Sequence, residues 1–149
     1  MFRRLLATTP TWVTVPLRLT LGIIFIAHGA QLVFGAWSGP GLKGMMSFPA
    51  PFAFMRPSWL WMAAAALSQL VGGVLVLLGL LTRLGALLLA CVMLTALVGV
   101  HWGHFFMQSK PPGIEFTFAL LGMSLALLIA GGGQASADNA IAGGRGYRR

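Results

Sequence analysis

The sequence predicts an all-α integral membrane protein, an antiparallel bundle of four transmembrane helices with both termini in the cytoplasm. Three observations carry that reading. Of 149 residues, 58% are hydrophobic and only 8% charged, whereas a soluble domain carries about 25% charged residues. Four apolar runs approach the roughly 20 residues that cross a hydrocarbon core. Ten of the twelve charged residues are Lys or Arg, and they flank the runs or sit near their ends, where they report topology.

The first run, 15–34, follows a basic start in which Pro10, Pro16 and Arg18 interrupt any long apolar stretch. A cleaved signal peptide fits poorly, because His28 spoils the small-residue site that would end at Ala30. A retained first helix is expected. The second and third runs, 58–81 and 84–106, are separated only by "TR" and so form a tight hairpin. "MQSKPPG" then leads to the fourth run, 114–130, and Pro111 and Pro112 cannot continue a helix. The segment between the first two runs, "GAWSGPGLKGMMSFPAPFAFMRP", mixes Gly and Pro with Trp, Phe and Met. It reads as an irregular segment lying in the interface. The whole chain, 1–149, forms a single integral membrane domain on this reading.

Charge sets the orientation. Arg3, Arg4, Arg18, Arg83, Arg145, Arg148 and Arg149 fall on one side, and Lys43, Arg56 and Lys110 on the other. The positive-inside rule places the richer side in the cytoplasm. Trp12 then lies at the inner boundary and Trp37, Trp59, Trp61 and Trp102 at the outer one, the level amphipathic indoles prefer. The net charge of +8 does not point to nucleic acid, since the cations flank apolar spans instead of clustering among aromatics. The bilayer is the expected partner. The single cysteine, Cys91, excludes an intrachain disulfide. Repeated small residues, Ala64, Ser68 and Gly72 on the second span and Gly85, Val92, Ala96, Gly99 and Gly103 on the third, are of the kind that let helices approach closely in lipid.

The scarce polar groups are the candidates for function. His28 and Gln31, three residues apart, share a face of the first helix. On a third helix running to 106, His101 falls roughly 26 Å from the inner start, and His104 one turn further. Glu115 opens the fourth helix, where a negative charge suits the helix N-terminus. Gln69 is the one strongly polar residue midway along the second. Threading alone brings His28, Gln31, His101, His104 and Glu115 to one depth, and ionisable groups in a membrane are costly enough to suggest function.

Each of these groups has several readings. His101 and His104 either mark a helix boundary wetted by water and headgroups, line a quinone pocket, or ligate a metal or haem. Zinc would need a third ligand from His28 or Glu115, and haem would need His28 opposite His101. Neither set is expected, because a bare HxxH carries no general base between its histidines. Glu115 is either a proton relay or a helix-start charge paired with Lys110. Gln69 reads as an interhelical hydrogen-bond partner. Arg18 and Arg83 are expected to snorkel to the cytoplasmic surface, and Asp138 in "GGGQASAD" to cap a short polar turn. No phosphate loop, CxxC pair, paired carboxylates or nucleophile triad is present, so no catalytic residue is assigned.

Taken in order, "RLTLGIIFIAHGAQLVFG", "SGPGL", "LLGLLTRLGA", His101, Glu115 and "GGGQASAD" resemble the DoxX family of small membrane proteins, from Arg18 to Asp138. The resemblance implies a compact four-helix membrane bundle, located in a bacterial or archaeal cytoplasmic membrane. It also implies an association with membrane oxidoreductase systems, including quinone-linked thiosulfate oxidation. The matching positions are Arg18, Gly22, His28, Gly29, Gln31, Gly35, Gly79, Arg83, His101, Glu115, Ser136 and Asp138. The chain departs from the family pattern at three places. Gln69 stands where an acid is common, Leu32 where a lysine is common, and Ser-Ala-Asp replaces Ser-Leu-Asp. Two functions follow. One is an accessory subunit that packs into a larger membrane redox complex or a homo-oligomer. The other is a quinone-linked oxidoreductase subunit whose His28, Gln31, Gln69, His101, His104 and Glu115 form a polar pocket near the outer face, with electrons supplied by an external partner.

Overall fold

The computed structural model describes residues 8, 9, 11–110 and 112–143. Arg3, Arg4, Arg145, Arg148, Arg149, Pro10 and Pro111 therefore lie outside the described residues. The described part is all helical, without strands: α1 (Thr14–Phe34), α2 (Gly41–Ser47), α3 (Ser58–Leu78), α4 (Thr82–Gly99), α5 (Glu115–Ala130) and α6 (Ala137–Gly143). By length and composition, α1, α3 and α4 can each cross a membrane, while α5, with 16 residues, is a shorter apolar helix.

Tertiary contacts run α1 to α3, α3 to α4 and α4 to α5, with α5 also touching α1 and α2 lying across α1 and α3. Leu21 and Phe25 of α1, Val76 of α3, Leu89 and Met93 of α4, and Leu120 and Leu127 of α5 share the core. Outward faces are apolar too: Ile23, Leu67, Val71, Leu87, Leu94, Phe118 and Ile129 are exposed, while Thr14, Arg18, Thr82, Ser124 and Asp138 are buried. Soluble proteins arrange polar and apolar residues the other way. A membrane surrounding the outward faces accounts for the inversion, since lipid is as apolar as the side chains it meets.

Glycines set the helix spacing. A Cβ on Gly29 would lie 2.5 Å from the Leu70 Cα, and one on Gly73 2.9 Å from the Ile26 amide nitrogen. The α1–α3 seam is thus a backbone-to-backbone approach. At the α3–α4 seam Gly72 and Gly85 face each other's carbonyl oxygens, so part of the expected small-residue stripes does mark a contact. Gly103 faces open space, and Ala64 and Ser68 border a cavity instead of a helix seam.

Three boundaries differ from expectation. Helix α3 ends at Leu78, not 81, because Gly79 adopts φ +66° and closes a Schellman turn. In it the Gly79 N–H donates to the Val76 carbonyl and the Leu80 N–H to the Leu75 carbonyl. Thr82 and Arg83 are accordingly the first residues of α4, not a linker. The segment after α1 is not wholly irregular, since a 3-10 turn (Ala36–Ser38) and α2 interrupt it. The third correction has most bearing on function. Helix α4 stops at Gly99, seven residues short of the expected 106. Apolar residues continue past that point, but the backbone is recruited elsewhere. Gly113 N–H donates to the Phe106 carbonyl, Ile114 N–H to that of His104 and Glu115 N–H to that of Phe105. These bonds fold 100–114 into a compact loop.

Candidate functional site

The α4–α5 loop holds His101 and His104, and Glu115 follows it directly as the first residue of α5. Its end of the molecule is the one reached by the C-terminus of α1 and by α2. His101 and His104 do not share a helical face, because α4 has already ended. The Nδ1 of His101 lies 3.2 Å from the Pro112 carbonyl oxygen. A carbonyl only accepts, so this bond requires the ring proton on Nδ1. His104 is exposed and offers its carbonyl to Ile114. Glu115 does not pair with Lys110. Its Oε1 accepts a 2.7 Å hydrogen bond from the Met107 amide, bracing the loop from the first turn of α5. A carboxylate there also suits the positive end of the helix dipole.

His28 and Gln31 do share a face of α1. With Ala27 and Trp37 they line a shallow pocket of about 180 Å³, and the His28 ring tilts against Phe116, centroids 6.4 Å apart. That contact brings His28 to the residue beside Glu115. Gln69 is not part of this group. It opens into a second cavity of about 270 Å³ between α3 and α4, covered by Met45 of α2 and by Pro51 and Met55. The six candidates are therefore divided among a pocket, a loop and a separate cavity. Among the described residues no three His, Cys, Asp or Glu come together as a metal site requires. The zinc set of His101, His104 and His28 or Glu115 is not assembled.

The opposite end carries a polar cluster whose roles sequence reasoning missed. Arg18 does not snorkel outward. It is 6% exposed and donates Nε to the Val76 carbonyl at 3.0 Å, Nη2 to Leu77 at 2.9 Å, and Nη1 to Gly132 at 3.0 Å and Ala135 at 2.6 Å. The guanidinium thus satisfies the orphan carbonyls at the end of α3 and ties them to the segment after α5. Gly79 makes room for it, since a Cβ there would lie 2.5 Å from the Arg18 Cζ.

Asp138, 1% exposed, caps α4 from another helix. Its Oδ1 accepts from the Leu81 amide at 2.7 Å, and its Oδ2 from the Thr82 amide at 2.9 Å and the Thr82 hydroxyl at 2.7 Å. The Asp138 amide in turn donates to the Gly79 carbonyl. Arg83 donates to the Ile129 carbonyl at 2.8 Å, which anchors it to the C-terminal end of α5. The sequence reads Asp138 as the cap of its own short turn, but apart from the Thr82 hydroxyl its partners are backbone amides of a distant helix, which leave no mark in the sequence.

The chain has two side-chain carboxylates, and both accept backbone amides, Asp138 from the start of α4 and Glu115 from the α4–α5 loop. What the arrangement offers for chemistry is the small His28–Gln31 pocket and the apolar cavity at Gln69.

Comparison with known proteins agrees with this picture. The DoxX family matches residues 13–102. A curated protein of Bacillus subtilis (strain 168), named "Putative oxidoreductase CatD", is 33% identical over 118 residues, covering 79% of this chain and 78% of that protein. No solved structure matches.

Proposed function

The chain belongs to the DoxX family, and from that premise we propose that it is a small accessory subunit of a larger membrane redox complex. One observation carries the reading. Glu115 and His101, two of the ionisable groups best placed for chemistry, are spent on holding the α4–α5 loop. A subunit of this kind presents a shaped surface and leaves electron transfer to a partner that holds the redox cofactor. The relative named as an oxidoreductase supports a redox setting. The apolar outward faces support burial in a bilayer, with α1, α3, α4 and the shorter α5 as four spans. Both termini then lie in the cytoplasm, on the strength of the basic residues.

Gentle solubilisation of native membranes, followed by native mass spectrometry and an optical spectrum of the same sample, tests the proposal. The expected result is an assembly containing a second protein with a flavin, haem or iron–sulfur spectrum, which the chain purified alone lacks. A chain that emerges only with itself, and turns over an electron donor and a quinone unaided, would overturn it.

A second reading rests on the pocket of His28, Gln31 and Trp37. There an imidazole and an amide could hydrogen-bond a quinone carbonyl while the indole and Phe116 flank the ring. On that reading His28→Ala abolishes quinone-dependent turnover of the complex without loss of assembly. Unchanged turnover would leave only the accessory role.

A further inference from the structure

The cavity between α3 and α4 is independent of both readings. Its wall is almost wholly apolar, built from Met45, Met55, Trp61, Met62 and Val92 among others. At about 270 Å³ it approaches the range of small-molecule sites, which starts near 300 Å³. Gln69 lines this space about 16 Å along α3 from Ser58, close to half the length of the helix. Half-buried, Gln69 makes no hydrogen bond among the described residues, so it is not the interhelical partner expected from sequence. The other side chains in the wall with polar atoms are Ser68, Cys91, Thr95 and Trp61, the last with its single indole N–H. Of these, the Thr95 hydroxyl already donates to the Cys91 carbonyl at 2.9 Å.

An unpaired amide at such a depth costs a few kcal/mol, because hydrocarbon offers it no partner. Water is poorly suited to supply one, since a buried water needs two to four polar contacts and the wall provides few. A phospholipid cannot supply one either, because its ester carbonyls stay at the edge of a core about 30 Å thick. A carboxylate at this position would be a buried charge without a cation to pair with. The occupant that satisfies the site is neutral, apolar over most of its surface, and carries one accepting oxygen. We propose that this cavity binds a lipophilic carbonyl compound that enters from the bilayer, with the Gln69 Nε2 donating to its oxygen.

Benzophenone is a direct probe, since it is itself a lipophilic ketone and on irradiation inserts into nearby C–H bonds, methionine preferentially. The full-length chain in nanodiscs is irradiated with benzophenone and the adducts are mapped by peptide mass spectrometry. Adducts are expected on Met45, Met55 and Met62. Excess fluorenone should suppress them, whereas fluorene, the same ring system without the oxygen, should do so about three- to tenfold less well, the worth of one hydrogen bond. In Gln69→Met, of similar shape but without a donor, the two competitors should become equal. Adducts scattered over outward-facing side chains would overturn the proposal, as would fluorene competing as well as fluorenone on the unmodified chain. The latter comparison needs no variant to fold. The assay uses the chain alone, so its failure would leave membership of a complex untouched.

Discussion

Asp138 accepts three hydrogen bonds, two of them from backbone amides that begin α4. Truncating it leaves those donors buried without partners, a mechanism that ordinarily costs about 1–3 kcal/mol for each unsatisfied group. Asp138→Ala should therefore destabilise the protein by several kcal/mol, seen as a large fall in thermal unfolding temperature in detergent. Asp138→Asn keeps one accepting oxygen and should fall between the two. Arg18 is equally specific. Lysine lacks the planar fork that reaches four carbonyls on two segments, so Arg18→Lys should lose about 1–3 kcal/mol in the same assay, whereas Lys43→Met, at an exposed position, should be neutral. A result in which Arg18→Lys matches the unmodified protein would mean that the carbonyls find other donors. Sequence position led Arg18 to be read as a snorkelling residue because it sits near a span end. Its acceptors are backbone groups as many as 117 positions away in sequence, and no side-chain pattern encodes them.

At the scale of elements, the four apolar helices were legible, three of them long enough to span a membrane, and the ends of two were not. The apolar runs at 15–34 and 114–130 match α1 and α5 to within one residue, since in lipid a helix is the one open-ended structure that satisfies its own backbone. The run reaching 106 misled because hydropathy does not register that 113–115 claim the carbonyls of 104–106. The His101–His104 pairing failed with it, as a spacing of three has meaning only on a helix. Glu115 is the side-chain brace of that loop. Glu115→Ala should raise deuterium exchange at the Met107 amide and across 100–113 while leaving α4 and α5 protected; unchanged exchange there would show the backbone bonds to be sufficient by themselves. Helix seams can be tested as cleanly. Gly29→Val meets Leu70 backbone, which cannot yield as a flexible side chain would, so it should cost about 1–3 kcal/mol or more by overpacking. Gly122→Val has nothing within 4 Å and should be harmless. Equal effects from the two would mean that the α1–α3 seam is not the close approach described above.

The molecule as a whole has two unlike ends. One collects the N-terminus of α1, the junction of α3 with α4, and the segment after α5, all knotted through Arg18 and Asp138. The other collects α2, the α4–α5 loop, His28 and Gln31. Trp12 is exposed toward the first end, and Trp37, Trp59, Trp61 and Trp102 toward the second, two belts of the kind that mark membrane boundaries. Arg18 and Arg83 belong to the first end, where both are engaged with carbonyls, and Lys43, Arg56 and Lys110 to segments of the second. If the positive-inside rule governs this chain, the Arg18–Asp138 end faces the cytoplasm and the candidate pocket opens outward. Replacing Cys91 by Ser removes the one native thiol and permits single reporters at exposed positions, His104→Cys at one end and Gln134→Cys at the other. In intact cells a membrane-impermeant maleimide should label residue 104 at once and residue 134 only after permeabilisation. The reverse order would turn the molecule over, placing His28 and Gln31 on the cytoplasmic side and with them any partner that delivers electrons to this pocket.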